Sequence, residues 1–546
     1  MGLRPLHGGL IGGRRLGDLR TGRSVPGPRR FARSPGPRTS LSCRSGLPPL
    51  RLPPRLLPSL TVSMRFSLPP EPAPLACLEG RSWHPWLVVG LVSLGAFVGQ
   101  VDATIVQLAL PALGRAFSAP LPQVSWVALA YLLAFASFLP IFGRLCEMFG
   151  RKSLYLAGYA LFITASALCA LADSLPALIA FRVLQGMGGA VLGANSIAIL
   201  VATVPQASRG RALGIFAAAQ AIGMSGGPAL GGLLLEAAGW RAIFWVTVPF
   251  GAVALGVGWL ALPRTTTRGT RGFDVGGALL IGPALVLTVM TLNHLAQWGP
   301  GSPLTLGALA AAGVLFALLV WRERSTPAPL INPRLFATLA FRCGAAAVSL
   351  AYALLYGVLF LMSFALEHGY GESPAIAGLR LALMPVALGL SAPLSHDIAL
   401  RLGPRRAGPA AMLVCLCGIG LLLASLGFGA NHYLYHTLAL LLLGTGLGLF
   451  IAPNTHATIA AAAADLSGAA GSLLNLMRVM GTSLGVAVGA SMLTWRLEVV
   501  TGSRRHWFEA DSASLLEAAR TSLPVLALLA VAAALCAHVA ARGTRA

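Results

Sequence analysis

Charge is scarce in this chain. Only 10% of its 546 residues are Asp, Glu, Lys or Arg, against roughly a quarter in soluble domains, which excludes an ordinary water-soluble globule. Lysine is nearly absent, Lys152 being the single one among 40 basic residues. A phosphate-cradling loop ends in Gly-Lys-Ser/Thr. Lys152 follows Arg151 instead, so the chain carries no such loop. Paired cysteines are missing too: the eight (43, 77, 146, 169, 343, 415, 417 and 536) include no C-x2-C. Cys415 and Cys417 fall on different faces of an apolar helix, and buried, inert thiols are expected. No nucleophile and base share a polar segment, so no enzyme is indicated. His432 and His436 have a metal-compatible spacing. They alternate with Tyr433 and Tyr435 at the end of an apolar run, which reads as an interfacial aromatic belt, and no metal site is expected.

Apolar runs are what the chain has in quantity, with 56% hydrophobic residues. From Trp83 onward, stretches of about twenty apolar residues recur, each long enough to cross a bilayer as a helix. Fourteen are expected, at about 85–109, 124–143, 153–172, 175–201, 211–234, 242–262, 274–293, 303–321, 343–366, 375–397, 409–428, 434–459, 470–494 and 523–541. The net charge of +23 does not indicate nucleic-acid binding, because lipid-embedded helices offer no basic groove. Residues 1–63 alone hold twelve arginines and one acid, Asp18. Poor in apolar runs, the segment 1–83 is expected to be a disordered basic extension. Residues 1–63 read as a cytoplasmic tail, a transit-like segment or, the favoured reading, an upstream start-site artefact with Met64 the natural start.

Loops after even-numbered spans carry fifteen basic residues, Arg144, Arg151 and Lys152 among them. Loops after odd-numbered spans, the last excepted, hold Arg115 and Arg241, with Arg380 nearby. By the positive-inside rule both termini are cytoplasmic. The last external loop, 495–522, holds four arginines, and its Leu515, Leu516 and Ala518 suggest a short surface helix. A shift of 258 superposes Gly210, Ala212, Gly223, Gly227 and Gly231 on Gly468, Ala470, Gly481, Gly485 and Gly489. Spans 5 and 13 are therefore counterparts, and repeated halves facing a central site are a transporter architecture. The expected organisation is an all-α membrane protein. It has a six-helix half at 84–264, an inserted two-helix linker at 265–325 and a second six-helix half at 326–546.

Five motifs stand out. Span 5 carries Gly214, Gly223, Gly227-Pro228 and Gly231-Gly232 as G-x8-G-x3-GP-x2-GG; small residues let helices approach closely, and proline bends the helix. Span 1 has Asp102-Ala-Thr-Ile-Val-Gln-Leu-Ala-Leu-Pro111. The following loop has Gly143-Arg-Leu-Cys-Glu147-Met-Phe-Gly150-Arg151-Lys152. Span 4 has Arg182-Val-Leu-Gln185-Gly186-Met-Gly188, and Trp240-Arg241 leads to Pro249 and Gly251. Jointly these resemble the major facilitator superfamily, in particular its fourteen-helix drug:proton antiporter branch, over about residues 84–541. Departures are Gln107 for Asn, Glu147 for Asp and Met148 for Arg. In the copy of span 5, Val486 stands where Pro228 would fall.

Asp102 is the one carboxylate well inside an expected span, and intramembrane acids by default mark ion or proton pathways. Burial penalises its charged form, which suits a proton carrier; the alternative is a carboxylate that only bonds a neighbouring helix. Arg182 either holds that acid or stiffens the half by bonding carbonyls. The resemblance implies a gating latch of Gly143, Glu147, Gly150, Arg151 and Lys152, where a plain positive-inside anchor is the other reading. Gln185, Asn195, Asn293, Asn454, His456 and Asn475 are candidates for a cavity wall, or for bonds between helices. Arg478 sits at the repeat position of Gln220 and reads as a second coupling residue or a holder of an anionic cargo group.

The resemblance implies proton-driven export of small, amphipathic or cationic organic molecules across the bacterial inner membrane by a monomer without a cofactor. In a Gram-negative host it further implies a periplasmic adaptor and an outer-membrane channel as partners. An exporter of one specific metabolite is the alternative. A non-transporting scaffold or sensor lacks a soluble relay domain, and the span 5 pattern argues against import.

Overall fold

Backbone groups in hydrocarbon must be satisfied within their own segment, so apolar runs of bilayer length become helices, and fourteen form among the described residues. The structure is a computed structural model that describes Thr61–Val62, Glu71 and residues 73–78, 80–265, 272–426, 432–502 and 507–543. The expectations for the remainder of 1–70 lie outside the described residues. The helices are α1 His84–Ala116, α2 Leu121–Phe149, α3 Arg151–Ala170, α4 Leu175–Thr203, α5 Gln206–Ala238, α6 Ala242–Ala261, α7 Val275–Asn293, α8 Pro303–Ser325, α9 Leu339–Gly369, α10 Pro374–Leu402, α11 Arg405–Ser425, α12 Tyr433–Ala460, α13 Ser467–Thr501 and α14 Ser512–Arg542. A two-residue pairing, Thr61 with Asp274 and Val62 with Phe273, is the one strand contact among the described residues.

Helix starts follow their caps. Ser174, Ser302, Thr338 and Ser373 each accept a bond from the third backbone N–H of the helix they open, satisfying a donor that has no partner inside the helix. Gly150 ends α2 and opens α3 at φ +113°, a conformation that favours glycine.

The repeat appears in the packing. In the first half α5 lies along α1, and in the second α13 lies along α9. Glycines make both approaches possible. A Cβ at Gly223, Gly227 or Gly231 would strike Phe97, Thr104 or Ile105 of α1. At Gly481, Gly485 or Gly489 it would strike Ser349, Ala353 or Phe360 of α9. Each of these helices also packs on the second helix of the opposite half, α5 on α10 and α13 on α2. The inserted α7 packs on α8, α2 and α13. Asn293 at its end takes a bond from Ser125 Oγ at 3.0 Å and donates to the Pro122 carbonyl at 2.8 Å. That residue therefore fastens the insert rather than lining a cavity.

Two expectations are corrected. Residues 512–522 are not a separate surface helix but the first turns of α14, and Leu515 and Ala518 are buried. Their apolar face packs on α9. The stretch just before α1 is docked rather than disordered. The Glu71 carboxylate accepts from Thr265 N at 2.6 Å, Thr265 Oγ1 at 3.1 Å and Ser153 N at 3.3 Å. An acid at the start of α3 meets unpaired N–H groups and the positive end of the helix dipole. Leu75 N adds a bond to the Leu260 carbonyl at 2.9 Å.

Candidate functional site

Polar side chains in apolar helices have to find one another, and four helices of the first half bring theirs to one point. Asp102 of α1 and Arg182 of α4 are 0% and 1% exposed. One guanidinium nitrogen, Nη1, donates to both carboxylate oxygens, at 2.8 and 3.0 Å. Nε of the same group donates to the Val127 carbonyl at 2.9 Å. Gln185, one turn beyond Arg182, donates to Asp102 Oδ1 at 2.8 Å and to Ser166 Oγ of α3 at 2.7 Å, and its Oε1 accepts from Arg182. Thr247 of α6 extends the chain to Ser166 at 3.1 Å. Asp102 is thus a carboxylate in a saturated network, paired with a cation that offsets its desolvation. Arg182 thus pairs with the acid and also bonds a main-chain carbonyl.

Beside this network lies a cavity of about 930 Å³, walled by α1, α2, α4 and α5 on one side and by α9 and α13 on the other. Its lining includes Arg144, Glu147 and Arg151 together with residues 327–332, 466–469, 471 and 472. These lie at the end of α2, at the start of α3, between α8 and α9, and at or just before the start of α13, so the cavity opens at the end that bears the basic loops. Its inner wall reaches Ala103, Tyr131, Tyr356 and Thr482. Asp102, Arg182 and Gln185 do not line it. Tyr131 lines it and stands over the Arg182 guanidinium, 4.3 Å from ring centroid to Cζ.

The opposite end is closed by contacts between the halves. Arg115 of α1 pairs with the buried Glu367 of α9 at 3.3 Å. Glu236 of α5 accepts from Ala375 N of α10 at 3.0 Å. A Cβ at Gly232 would strike the Pro374 carbonyl, and one at Gly378 the carbonyl of Pro228. Trp507, between α13 and α14, donates to the Ala119 carbonyl at 3.3 Å and fills the notch left by Gly114. The span 5 glycine motif therefore packs on two partners: Gly223, Gly227 and Gly231 against α1, Gly232 and Pro228 against the other half. Gly214 has open space around it.

The remaining sequence candidates separate. Asn195, Asn475 and Arg478 line the cavity, although the Asn195 amide also donates to Cys146 Sγ and to the Val191 carbonyl. Asn454 donates to the Gly344 carbonyl of α9 at 3.0 Å, and His456 is exposed on α12. Neither touches the cavity wall. His436 is buried, its ring 5.1 Å from that of Tyr370, which replaces the interfacial-belt reading there. The His432 side chain lies outside the described residues.

Glu147 pairs with Arg144 at 2.7 Å. Arg151 N donates to Thr265 Oγ1 at 2.8 Å, and Lys152 Nζ to the Leu262 carbonyl at 2.7 Å. Gly143 lines the cavity near its mouth. Among the described residues, no ion pair or hydrogen bond from Glu147, Arg151 or Lys152 reaches the other half. Sequence reasoning missed Tyr131, Glu71, Glu367 and Trp507. An aromatic residue in an apolar helix carries no mark of what it covers, and Glu71 lies in a segment whose composition suggested no structure.

Comparison with known proteins agrees with this architecture. A sequence model of the Major Facilitator Superfamily matches residues 92–486. The chain is 33% identical to the tetracenomycin C resistance and export protein of Streptomyces glaucescens over 442 residues, covering 80% of each chain. It is 32% identical to the multidrug resistance protein Stp of Mycobacterium tuberculosis, over 73% of this chain and 74% of that one. It is 30% identical to the riboflavin transporter RibZ of Clostridioides difficile, over 78% of this chain and 94% of the other. Among solved structures, an inward-facing, unoccupied bacterial homolog of the human lysosomal transporter Spinster superposes with TM-score 0.62. It does so at 16% identity over 85% of this chain and 98% of that one, a likeness of fold alone. The fourteen helices, the two-sided cavity and these matches together make the chain a membrane transporter of the Major Facilitator Superfamily.

Proposed function

We propose that this transporter exports small organic molecules in exchange for protons, by alternating access. The observation that carries the reading is the separation of two compartments. A cargo-sized cavity is open at one end, and the paired carboxylate Asp102 lies one side chain behind its wall. Protonating Asp102 would remove its charge from the Arg182 pair and leave that guanidinium free to re-pair, a change that can bias one packing of the halves over another. The charge distribution supports cytoplasmic termini and a cavity facing inward, in the plasma membrane of a bacterium. In that orientation Glu147, Arg151 and Lys152 form a latch that is disengaged here and engages when the inner end closes. Gln185 belongs to the coupling network, and Asn195, Asn475 and Arg478 to the cargo wall.

Names of the relatives support export and drug resistance. Tetracenomycin C and riboflavin in two of them keep a second reading in view, an exporter of one particular metabolite. The test uses inside-out vesicles holding the protein and a respiration-generated proton gradient. Cargo-dependent proton release, lost in Asp102→Asn, is the expected result. Equal release by parent and variant would reduce Asp102 to a structural residue.

A further inference from the structure

The cavity contains four charged side chains, unevenly placed. Arg144, Glu147 and Arg151 stand at the mouth, where Glu147 is already neutralised by Arg144. Deeper in, the one charged group on the wall among the described residues is Arg478 of α13. Asp102, which would attract a cation, is sealed behind Tyr131 and saturated by Arg182 and Gln185.

Arg478, half-buried on α13, differs from the arginines buried in the bundle. Arg182 has Asp102 and Arg380 has Glu372, as expected for charges within the membrane, which pair or face a water-filled path. Among the described residues no carboxylate lies within ion-pair distance of Arg478. Its guanidinium meets the Tyr352 ring, 5.9 Å from the centroid, at the outer limit of a cation–π contact. Asn475, one turn away on the same helix, lines the cavity beside it, and Tyr131, Phe135, Tyr352 and Tyr356 supply aromatic surface.

We infer that the cargo site is built for organic anions: planar aromatic molecules with a carboxylate, sulfonate or ionised phenol that Arg478 binds. Arginine presents a planar fork of donors that matches such groups and stacks on rings. A cavity of about 930 Å³ falls within the range of drug-sized sites, about 300–1,000 Å³. The inference rests on the export reading for the word cargo, and it reverses the cationic preference implied by family resemblance.

Two xanthene dyes of similar frame and opposite charge, fluorescein and rhodamine 123, provide the test. Their binding to the purified full-length protein is followed by fluorescence anisotropy in phosphatidylcholine nanodiscs. Fluorescein is expected to bind about tenfold more tightly, the size of one charge-assisted hydrogen bond. Arg478→Gln removes that preference without weakening rhodamine 123, and Arg478→Lys keeps most of it. Parity, a preference for rhodamine 123, no binding of either dye, or a preference untouched in Arg478→Gln would overturn the proposal. Phosphatidylglycerol in the nanodiscs supplies the same anionic chemistry as lipid. Displacement of fluorescein by it would assign Arg478 to a headgroup and overturn the cargo site, whereas undisturbed binding supports it. The export reading is tested separately in vesicles. Fluorescein preference without dye-driven proton release sinks proton-coupled export and leaves the anion site standing. Release driven by rhodamine 123 alone does the reverse.

Discussion

The Tyr131 ring stands over the Arg182 guanidinium at 4.3 Å, with the cavity on one side and Asp102 on the other. The pair it covers is fully desolvated, so small changes in this cover alter the environment of the carboxylate by a large amount. The transport cycle proposed above turns on two barriers: a single aromatic side chain over the guanidinium that holds the acid, and the set of contacts between halves at the closed end.

Removing that cover separates its two contributions. Tyr131→Phe keeps a ring over Arg182 and is expected to retain coupling, since a ring face holds the cation. Tyr131→Ala joins the cavity to Asp102 and is expected to let protons pass without cargo. Passive proton flux into proteoliposomes carrying a pH-sensitive dye distinguishes them. Equal flux in the two variants would remove the assigned role.

Breaking the buried pair from one side leaves an uncompensated charge. Asp102→Asn is expected to lower stability by about 3–5 kcal/mol, read from thermal unfolding in detergent. The double variant Asp102→Asn with Arg182→Gln should cost less than Asp102→Asn alone, because no lone charge remains buried. A double variant as damaged as the sum of the singles would show that the two residues act independently.

At the closed end, Gly232 meets the backbone of Pro374 and cannot accommodate a side chain. Gly232→Val is expected to push α5 from α10 and open that end. Spin labels at the exposed Ser118 and Ser512, one in each half, should move apart by several ångströms in pulsed dipolar spectroscopy. Unchanged distances would mean that the halves part elsewhere.

Glu71 offers a test of the docked segment ahead of α1. Glu71→Ala removes the acceptor for Thr265 N and Ser153 N and is expected to cost about 1–3 kcal/mol. Glu71→Gln, which keeps an acceptor oxygen, should recover part of the loss. The thermal midpoint measures both, and a midpoint unaffected by Glu71→Ala would make this docking incidental.

Much of the protein is legible in its sequence. Apolar runs near twenty residues predict fourteen helices, and fourteen form among the described residues, because bilayer thickness sets a length that composition alone can meet. The shift of 258 that aligns Gly223 with Gly481 marks α5 and α13 as counterparts, and both glycines seat their helix on the first helix of its own half. That an acid placed as Asp102 is needs a partner follows from the cost of a carboxylate in hydrocarbon, and Arg182 supplies one.

Other features depend on how each helix is rotated about its axis, which packing between distant segments decides. Asp102 and Arg182 are 80 residues apart, and no spacing rule relates them. Gln185 and Asn454 looked alike as polar residues in apolar spans, yet one joins the acid and the other bonds a carbonyl of α9. Arg182 and Arg478 looked alike as intramembrane cations; tertiary structure gave one a carboxylate and left the other facing the cavity. Sequence by itself determined the membrane class, the number of helices and the repeat, because these follow from local hydrophobicity and period. Only tertiary structure decided which end is closed, what Tyr131 covers and which charge the cavity presents, because those depend on side chains from separate helices meeting at one place.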